Sequence, residues 1–137
     1  MTGYIISFLI LVLVVIAWRY ASTREASTAV TTKPKRLLSF TTTHTPHDVL
    51  QILIEKTQRS EYSIDSIDEE HLSLILSTPP TATTWGFFYP VYFTQQDDGR
   101  TLVEVGIQSK LYQIGPLVRR QHERCFAHVK EVLYQQE

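Results

Sequence analysis

Residues 84–110 read TWGFFYPVYFTQQDDGRTLVEVGIQSK, and this stretch decides how the domain around it folds. It holds two runs of strand composition, Thr84–Thr94 and Thr101–Lys110. Between them Asp98-Gly99 favours a tight turn, because glycine adopts the positive φ that short hairpins require. In the second run apolar and polar residues alternate, as in a strand with one buried face. The stretch therefore predicts an antiparallel hairpin.

The first of these runs carries aromatic residues on both faces of one strand. A two-layer sheet buries one face, so one phase is predicted to be core: Phe87, Tyr89, Val91 and Phe93. The other phase has two interpretations, namely separate aromatics that are exposed or capped by a loop, or an apolar patch for a partner or ligand. The residues of this candidate surface are Trp85, Phe88, Pro90 and Tyr92. Pro90 fits a bulge or an edge position, which would leave backbone groups available to a partner strand.

A second hairpin is predicted upstream of the first. The runs Tyr62–Ile67 and His71–Ser77 both alternate, and the polar residues 68–70 join them as a turn. Before this hairpin, the composition of Leu37–Thr43 predicts a first strand. The domain is thus expected to contain about five strands.

Two helices are predicted from their start signals and their apolar stripes. Thr45 would cap the first helix, with Pro46 at its first position and Asp48 in its first turn, and the apolar stripe continues to about Gln58. Gly115-Pro116 opens the last helix in the same way. One face of that helix is predicted to pack on the sheet, and its residues are Val118, His122, Cys125, Phe126, Val129, Val132 and Leu133. The order β-α-β-β-β-β-α predicts an α+β domain over residues 37–137, in which a curved antiparallel sheet is packed by two helices.

The N-terminal stretch Tyr4–Tyr20, YIISFLILVLVVIAWRY, has no charge before Arg19. We predict a transmembrane anchor over residues 1–21, because about 20 apolar residues cross a bilayer as a helix. Tyr4, Trp18 and Tyr20 are aromatics of the kind that lie at headgroup depth. The alternative is a cleaved signal peptide, although no basic residue precedes the run.

Residues 22–36 are predicted to form a flexible basic linker, since they are rich in Ser, Thr and Ala. Residues 1–36 have a net charge of +4, and their basic side chains are predicted to contact lipid headgroups: Arg19, Arg24, Lys33, Lys35 and Arg36. All of them follow the apolar run, so the positive-inside rule places the domain in the cytoplasm and the N-terminus outside. An exported domain is the alternative. Residues 37–137 carry −5, which argues against a nucleic-acid partner.

No constellation in the sequence predicts catalysis, a metal site or a cofactor. His44 and His47, like His122 and Cys125, are three residues apart, but a zinc site needs three or four ligands. The acidic residues of the upstream hairpin do not have the spacing of a calcium loop. No GxSxG motif or glycine-rich phosphate loop is present. Cys125 is the one cysteine, so no internal disulfide forms.

Three phrases carry a resemblance to a known family: Tyr62-x-Ile-Asp-x-Ile-Asp, Leu74-Ile-Leu-Ser-Thr-Pro and Thr84-Trp-Gly-Phe. With the order of elements over residues 37–134, they resemble small helix-grip-type domains of membrane-attached bacterial proteins. The topology is also similar to the repeated domains of the lipoprotein subunit of the outer-membrane β-barrel assembly machinery. The chain departs from that lipoprotein because it lacks an acylation cysteine after the apolar run and has one domain. The resemblance implies an accessory or scaffold role in a membrane complex.

Two functions follow as expectations. The first is a non-catalytic, membrane-anchored interaction domain that docks on another membrane protein or complex through the face of Trp85–Phe93. The second is binding of a lipid or small apolar ligand in a groove between the sheet and the last helix, which would need a pocket of several hundred Å³.

Overall fold

The computed structural model describes residues 2–23, 33–81, 85–110 and 115–135. The helices are α1 (Thr2–Thr23), α2 (Pro46–Thr57) and α3 (Pro116–Tyr134). The strands are β1 (Leu37–Thr42), β2 (Ser63–Asp68), β3 (Ser73–Thr78), β4 (Phe87–Gln95), β5 (Thr101–Gly106) and β6 (Gln108–Ser109). The predicted α+β class and order of elements are confirmed.

The strands form one antiparallel sheet in the order β1-β5-β4-β3-β2, and the short β6 also pairs with β4. The aromatic strand β4 lies at the centre, where Val91 is opposite Leu74 of β3 and Val105 of β5. The edge strands are β1 and β2, and α2 connects them across the sheet.

Pro90 lies in this central strand, so the prediction of an edge or bulge position for Pro90 is wrong. It is opposite Ile75 of β3 on one side. On the other side the ladder to β5 stops at Val91–Val105 and resumes in β6 at Phe88–Gln108. Proline has no N–H to donate, which accounts for a break at this point. The return strand that the sequence predicts as continuous is therefore divided into β5 and β6.

The helices α2 and α3 both pack on one face of the sheet. The predicted cap of α2 is confirmed, because Thr45 Oγ1 accepts a hydrogen bond of 3.2 Å from the Asp48 backbone N–H. In α3 the buried residues are those of the predicted stripe, including His122, Cys125 and Val129. The predicted core phase of β4 is also confirmed. The sheet side of the core is formed by Phe40, Leu74, Leu76, Phe87, Tyr89, Val91, Phe93, Val103 and Val105.

A bulge at Asp65 changes the alternation of the edge strand β2. Ile64 is opposite Leu76 and Ile67 is opposite Leu74, and both of those leucines belong to the core. Residues three apart in a regular strand point to opposite faces. Because of the extra residue, Ile64 and Ile67 instead both face the helices.

The N-terminal helix α1 is 22 residues long, which corresponds to about 33 Å. Its span Thr2–Tyr20 is long and apolar enough to cross a membrane or to be a signal sequence. Tyr4, Trp18 and Tyr20 are all exposed on it. Arg24, the second predicted headgroup contact, lies outside the described residues.

Candidate interaction surfaces

The predicted surface consists of Trp85, Phe88, Pro90 and Tyr92. The last three alternate with the core residues of β4 and so lie on the outer face of the sheet, opposite the helices, whereas Trp85 precedes the strand. Phe88 has no exposed surface and Pro90 is also buried, whereas Trp85 and Tyr92 are half-buried. The expectation of an exposed aromatic patch is therefore wrong for Phe88 and Pro90. A docking role for Trp85 and Tyr92 stays a prediction.

Phe88 is covered by a lysine from the end of the neighbouring chain segment. Lys110 is 5% exposed, and its Nζ lies 5.1 Å from the centre of the Phe88 ring. Burial lowers the pKa of Lys110, and the carboxylate of Asp65 opposes that effect. Asp65 also accepts a hydrogen bond of 3.1 Å from Ser77, which is opposite Phe88 in the sheet. This part of the outer face is closed by contacts within the domain.

Further along the same face, the chain segment that leads in from α1 packs on the sheet. We call residues 33–36 the neck. Lys33 Nζ is 2.9 Å from the Glu104 carboxylate and 5.0 Å from the centre of the Tyr92 ring. Gly106 makes room for Pro34, since a Cβ added there would lie 2.9 Å from Pro34 Cγ. The end of the predicted linker is thus part of the folded domain.

Among the predicted headgroup contacts in the neck, Lys33 is in an ion pair within the domain, whereas Lys35 and Arg36 face solvent. Lys33 is engaged by Glu104, which is 18% exposed and so partly shielded from solvent. Lys35 and Arg36 are exposed.

The segment between α1 and the neck is short. From Thr23, the last residue of α1, to Lys33 there are ten Cα-to-Cα distances, which together span at most about 35 Å.

On the helix side, a groove of about 420 Å³ lies between the end of α2 and the edge strand β2. We call it the β2 groove. Ile54 and Gln58 of α2 line one wall, and Tyr62, Ile64 and Ile67 line the other. Ile67 is 43% exposed, which is unusual for an isoleucine that points toward the core side of a sheet. The groove thus puts apolar side chains beside the outer edge of β2, to which no other described strand pairs.

Acidic side chains surround the far end of this edge. Asp68 is the last residue of β2, and Glu69 and Glu70 follow in the turn, all of them exposed. His71 closes the turn, donating its backbone N–H to Asp68 Oδ1 at 3.0 Å and placing its Nδ1 2.8 Å from Oδ2. These hydrogen bonds from His71 lower the pKa of Asp68, and the carboxylate raises the pKa of His71. The groove therefore has a negatively charged rim at its Ile67 end, and the exposed Arg59 lies between Gln58 and Ser60 at its other end.

The predicted ligand groove between the sheet and the last helix is filled by core side chains. Cys125, Val129 and Leu133 of α3 have no exposed surface. Burial raises the pKa of the Cys125 thiol, so it stays protonated at neutral pH and is a poor nucleophile. The ring of Tyr62 packs against Tyr89 at 5.6 Å and against His128 at 4.9 Å between ring centres.

The histidines do not converge on a common site. His122 is fully buried and its Nε2–H donates to the Val105 carbonyl at 2.6 Å. His44 donates through Nε2 to the carbonyl of Leu133 at 3.2 Å. His47 is exposed on α2. Within the described parts of the chain, no three His, Cys, Asp or Glu residues are grouped so that they could hold a metal ion.

Neither a protein-family model nor a curated protein sequence matches the chain. The resemblance to helix-grip-type domains stays a prediction that rests on the order of elements and three short phrases. The β2 groove is a surface that was not predicted from the sequence. Its signal was the three-residue spacing of Ile64 and Ile67 in a strand that otherwise alternates.

Proposed function

We propose that the chain is a non-catalytic, membrane-anchored interaction domain, acting as a small subunit or scaffold of a membrane protein complex. The observation that carries the proposal is the β2 groove, where Ile67 is 43% exposed in an edge strand that, in the part of the chain the structure describes, is paired on one side only. Edge strands offer backbone N–H and C=O groups to a partner strand, and neighbouring pockets accept its side chains.

The partner that fits this surface is an extended segment of another protein. Its backbone would add to β2, and an apolar side chain would enter between Ile54, Ile64 and Ile67. Basic residues on the same segment would complement the acidic rim, which carries Asp68 and its neighbours in the turn. Charge of one sign also disfavours pairing of β2 with β2 of a second copy.

The anchor places this domain at a membrane surface. In our proposal α1 stays attached as a single-pass helix with its N-terminus outside and the domain in the cytoplasm. The support is that all basic residues near α1 follow it in sequence, among them Arg19, Lys35 and Arg36. A cleaved leader with an exported domain is the competing arrangement.

A second candidate function is binding of a small apolar ligand in the same groove. Its volume of about 420 Å³ lies within the range of small-molecule sites. The lining combines the isoleucines with the polar groups of Gln58 and Ser60, which could orient a ligand. This site differs from the sheet–α3 groove that the sequence suggested.

The test compares two lysine substitutions in the full-length protein, Ile67→Lys in the β2 groove and Thr94→Lys on the outer face. Both positions are exposed strand residues, so neither substitution is expected to change the thermal unfolding midpoint appreciably. After extraction in a mild detergent, wild-type and Thr94→Lys should migrate on a native gel in an assembly, and Ile67→Lys should migrate as the free chain.

Mass spectrometry of the same samples separates the alternatives. The interaction proposal is contradicted if wild-type protein migrates alone, or if Ile67→Lys stays in the assembly. A wild-type chain that migrates alone and carries a lipid lost in Ile67→Lys would establish the ligand candidate instead.

A further inference from the structure

The strands of the antiparallel sheet run along one common axis. The chain enters the domain at one end of this axis, through the neck. Leu37, the first residue of β1, is opposite Gly106, the last residue of β5. The ends of α2 and β3 and the starts of β2, β4 and α3 lie at this same end, because successive elements alternate in direction. The opposite end holds the β2–β3 and β4–β5 turns, the start of α2 and the end of α3, where Lys130 is half-buried.

Charge is separated along this axis. Around the neck and the first turn of α3, the entry end presents four exposed cations, which we call the basic pole: Lys35, Arg36, Arg119 and Arg120. The segment between α2 and β2 lies at the same end and carries the exposed Arg59 and Glu61, and the Glu61 carboxylate pairs with Arg124 at 3.1 Å. Arg36 is close enough to α3 that its positive charge lowers the pKa of His122, in addition to the larger effect of burial. His122 donates to the Val105 carbonyl at 2.6 Å, and Val105 is opposite Leu38, two residues after Arg36. Arg36 and the first turns of α3 therefore lie at the same end of the domain, whereas Lys33 and Pro34 pack on the outer face of the sheet.

The opposite end is acidic. Its two turns and the start of α2 contain a single Lys or Arg, which is Arg100. Their exposed carboxylates are Asp48, Asp68, Glu69, Glu70, Asp97 and Asp98.

With α1 attached as a membrane anchor, which is part of the function proposed above, the tether would hold the basic pole near the membrane. Lys33 is fixed on the sheet by Glu104, and nine residues of chain lie between it and Thr23 at the end of α1. A tether that spans at most about 35 Å keeps the local concentration of headgroups high around this end of the domain.

We propose that the basic pole docks on anionic phospholipid headgroups of the bilayer that α1 crosses, with the acidic end directed away from the membrane. Guanidinium groups match phosphate oxygens in geometry and charge. Arg119 contacts Glu123 at 3.2 Å, but both side chains are more than half exposed, so this pair contributes little and can exchange for a phosphate. The edge of β2 runs along the axis and stays accessible in this orientation.

The experiment measures which end of the domain approaches the lipid. Full-length protein carries a donor dye at Gln58→Cys, near the basic pole, or at Gln95→Cys, near the acidic end, both exposed positions. The native Cys125 is fully buried and does not compete for the dye. Each protein is placed in nanodiscs of phosphatidylcholine alone or mixed with phosphatidylglycerol, with an acceptor dye on the headgroups.

In mixed discs the dye at position 58 should transfer energy more efficiently than the dye at position 95. This difference should shrink in phosphatidylcholine and at about 0.5 M salt, where screening acts within a few ångströms. Arg119→Gln with Arg120→Gln should lower the ratio of docked to undocked domain roughly thirtyfold, since each cation near an anionic surface contributes roughly fivefold. The matched control, Glu69→Gln with Glu70→Gln, should keep the higher transfer efficiency from position 58 than from position 95.

Two results would overturn the proposal. One is equal or greater transfer from position 95. The other is a higher transfer efficiency from position 58 that is identical in both lipid mixtures. That result would mean that the tether alone sets the orientation, or that the basic pole binds an acidic protein.

Discussion

Gly106 lies where the neck of the chain meets the outer face of the sheet. A side chain at this position would meet Pro34 Cγ at 2.9 Å and Pro90 Cγ at 3.2 Å. Its backbone has no positive φ, so the need for glycine here is one of space and not of conformation.

We predict that Gly106→Ala lowers the free energy of unfolding by about 1–3 kcal/mol, the usual cost of overpacking. Thermal unfolding of the detergent-solubilised full-length protein measures the loss. Pro34→Ala in the same chain should recover part of it, because the nearer of the two contacts is removed. A Gly106→Ala protein with the wild-type unfolding midpoint would show that the neck is not held on the sheet.

His122 should make the stability of the domain depend on pH. Burial lowers the pKa of its imidazole, so the unfolded chain, with a pKa of about 6.5, binds the proton more readily than the folded chain. Stability is then full above about pH 6.5 and is lost as the pH falls below it. Burial lowers the pKa of His128 as well, with the same sign.

The measurement is the unfolding midpoint between about pH 8 and pH 5, above the range where most carboxylates titrate. His122→Gln can still donate to the Val105 carbonyl but cannot ionise, so its midpoint should fall less steeply than that of wild-type. His47→Gln removes an exposed imidazole and should follow the wild-type slope. Equal slopes for wild-type and His122→Gln would contradict this account.

At the scale of elements, local signals predict most of the fold. The start of α2 follows from Thr45 and Pro46, and the β4–β5 turn follows from Asp98-Gly99. Periodicity also identifies the core phase of β4. These features depend on neighbours within a few residues, which is the information that a single sequence contains.

The surfaces depend on contacts between distant segments, and the sequence does not contain these. Phe88 is covered by Lys110, and the Gly106 notch is filled by Pro34, 72 positions earlier in the chain. No periodic pattern in the sequence indicates either contact. The sequence therefore left open whether the aromatic face is an exposed patch or is covered, and in the structure Phe88 and Pro90 are buried. The charge separation likewise follows only once the direction of each strand is known.

The capping hydroxyl of α2 offers a test at this scale. Thr45→Ala removes the acceptor for the Asp48 N–H and should lower the free energy of unfolding by about 1 kcal/mol. Thr45→Ser keeps the hydroxyl and should remain close to wild-type. Chemical denaturation of the full-length chain in detergent compares the three, and an equal loss for Ser and Ala would show that the hydroxyl does not stabilise the helix.

At the scale of the whole molecule, three features follow one another along the axis of the strands: the N-terminal helix with the neck, the basic pole, and the β2 groove with its acidic rim. An N-terminal helix long and apolar enough to span a membrane leads into a neck fixed on the sheet by Lys33 and Pro34. The basic pole lies at the entry end, and the acidic rim of the β2 groove lies toward the other. In this arrangement the groove is held at a short distance from the bilayer, where it would meet an extended segment of a neighbouring membrane protein.

The most direct test of this claim is site-specific photocrosslinking in intact membranes. A photoreactive side chain replaces Ile67 in the β2 groove or, as the control, Thr94 on the outer face. The account predicts a defined protein adduct from position 67 and none of that size from position 94. No protein adduct from position 67, or the same adduct from both positions, would contradict it.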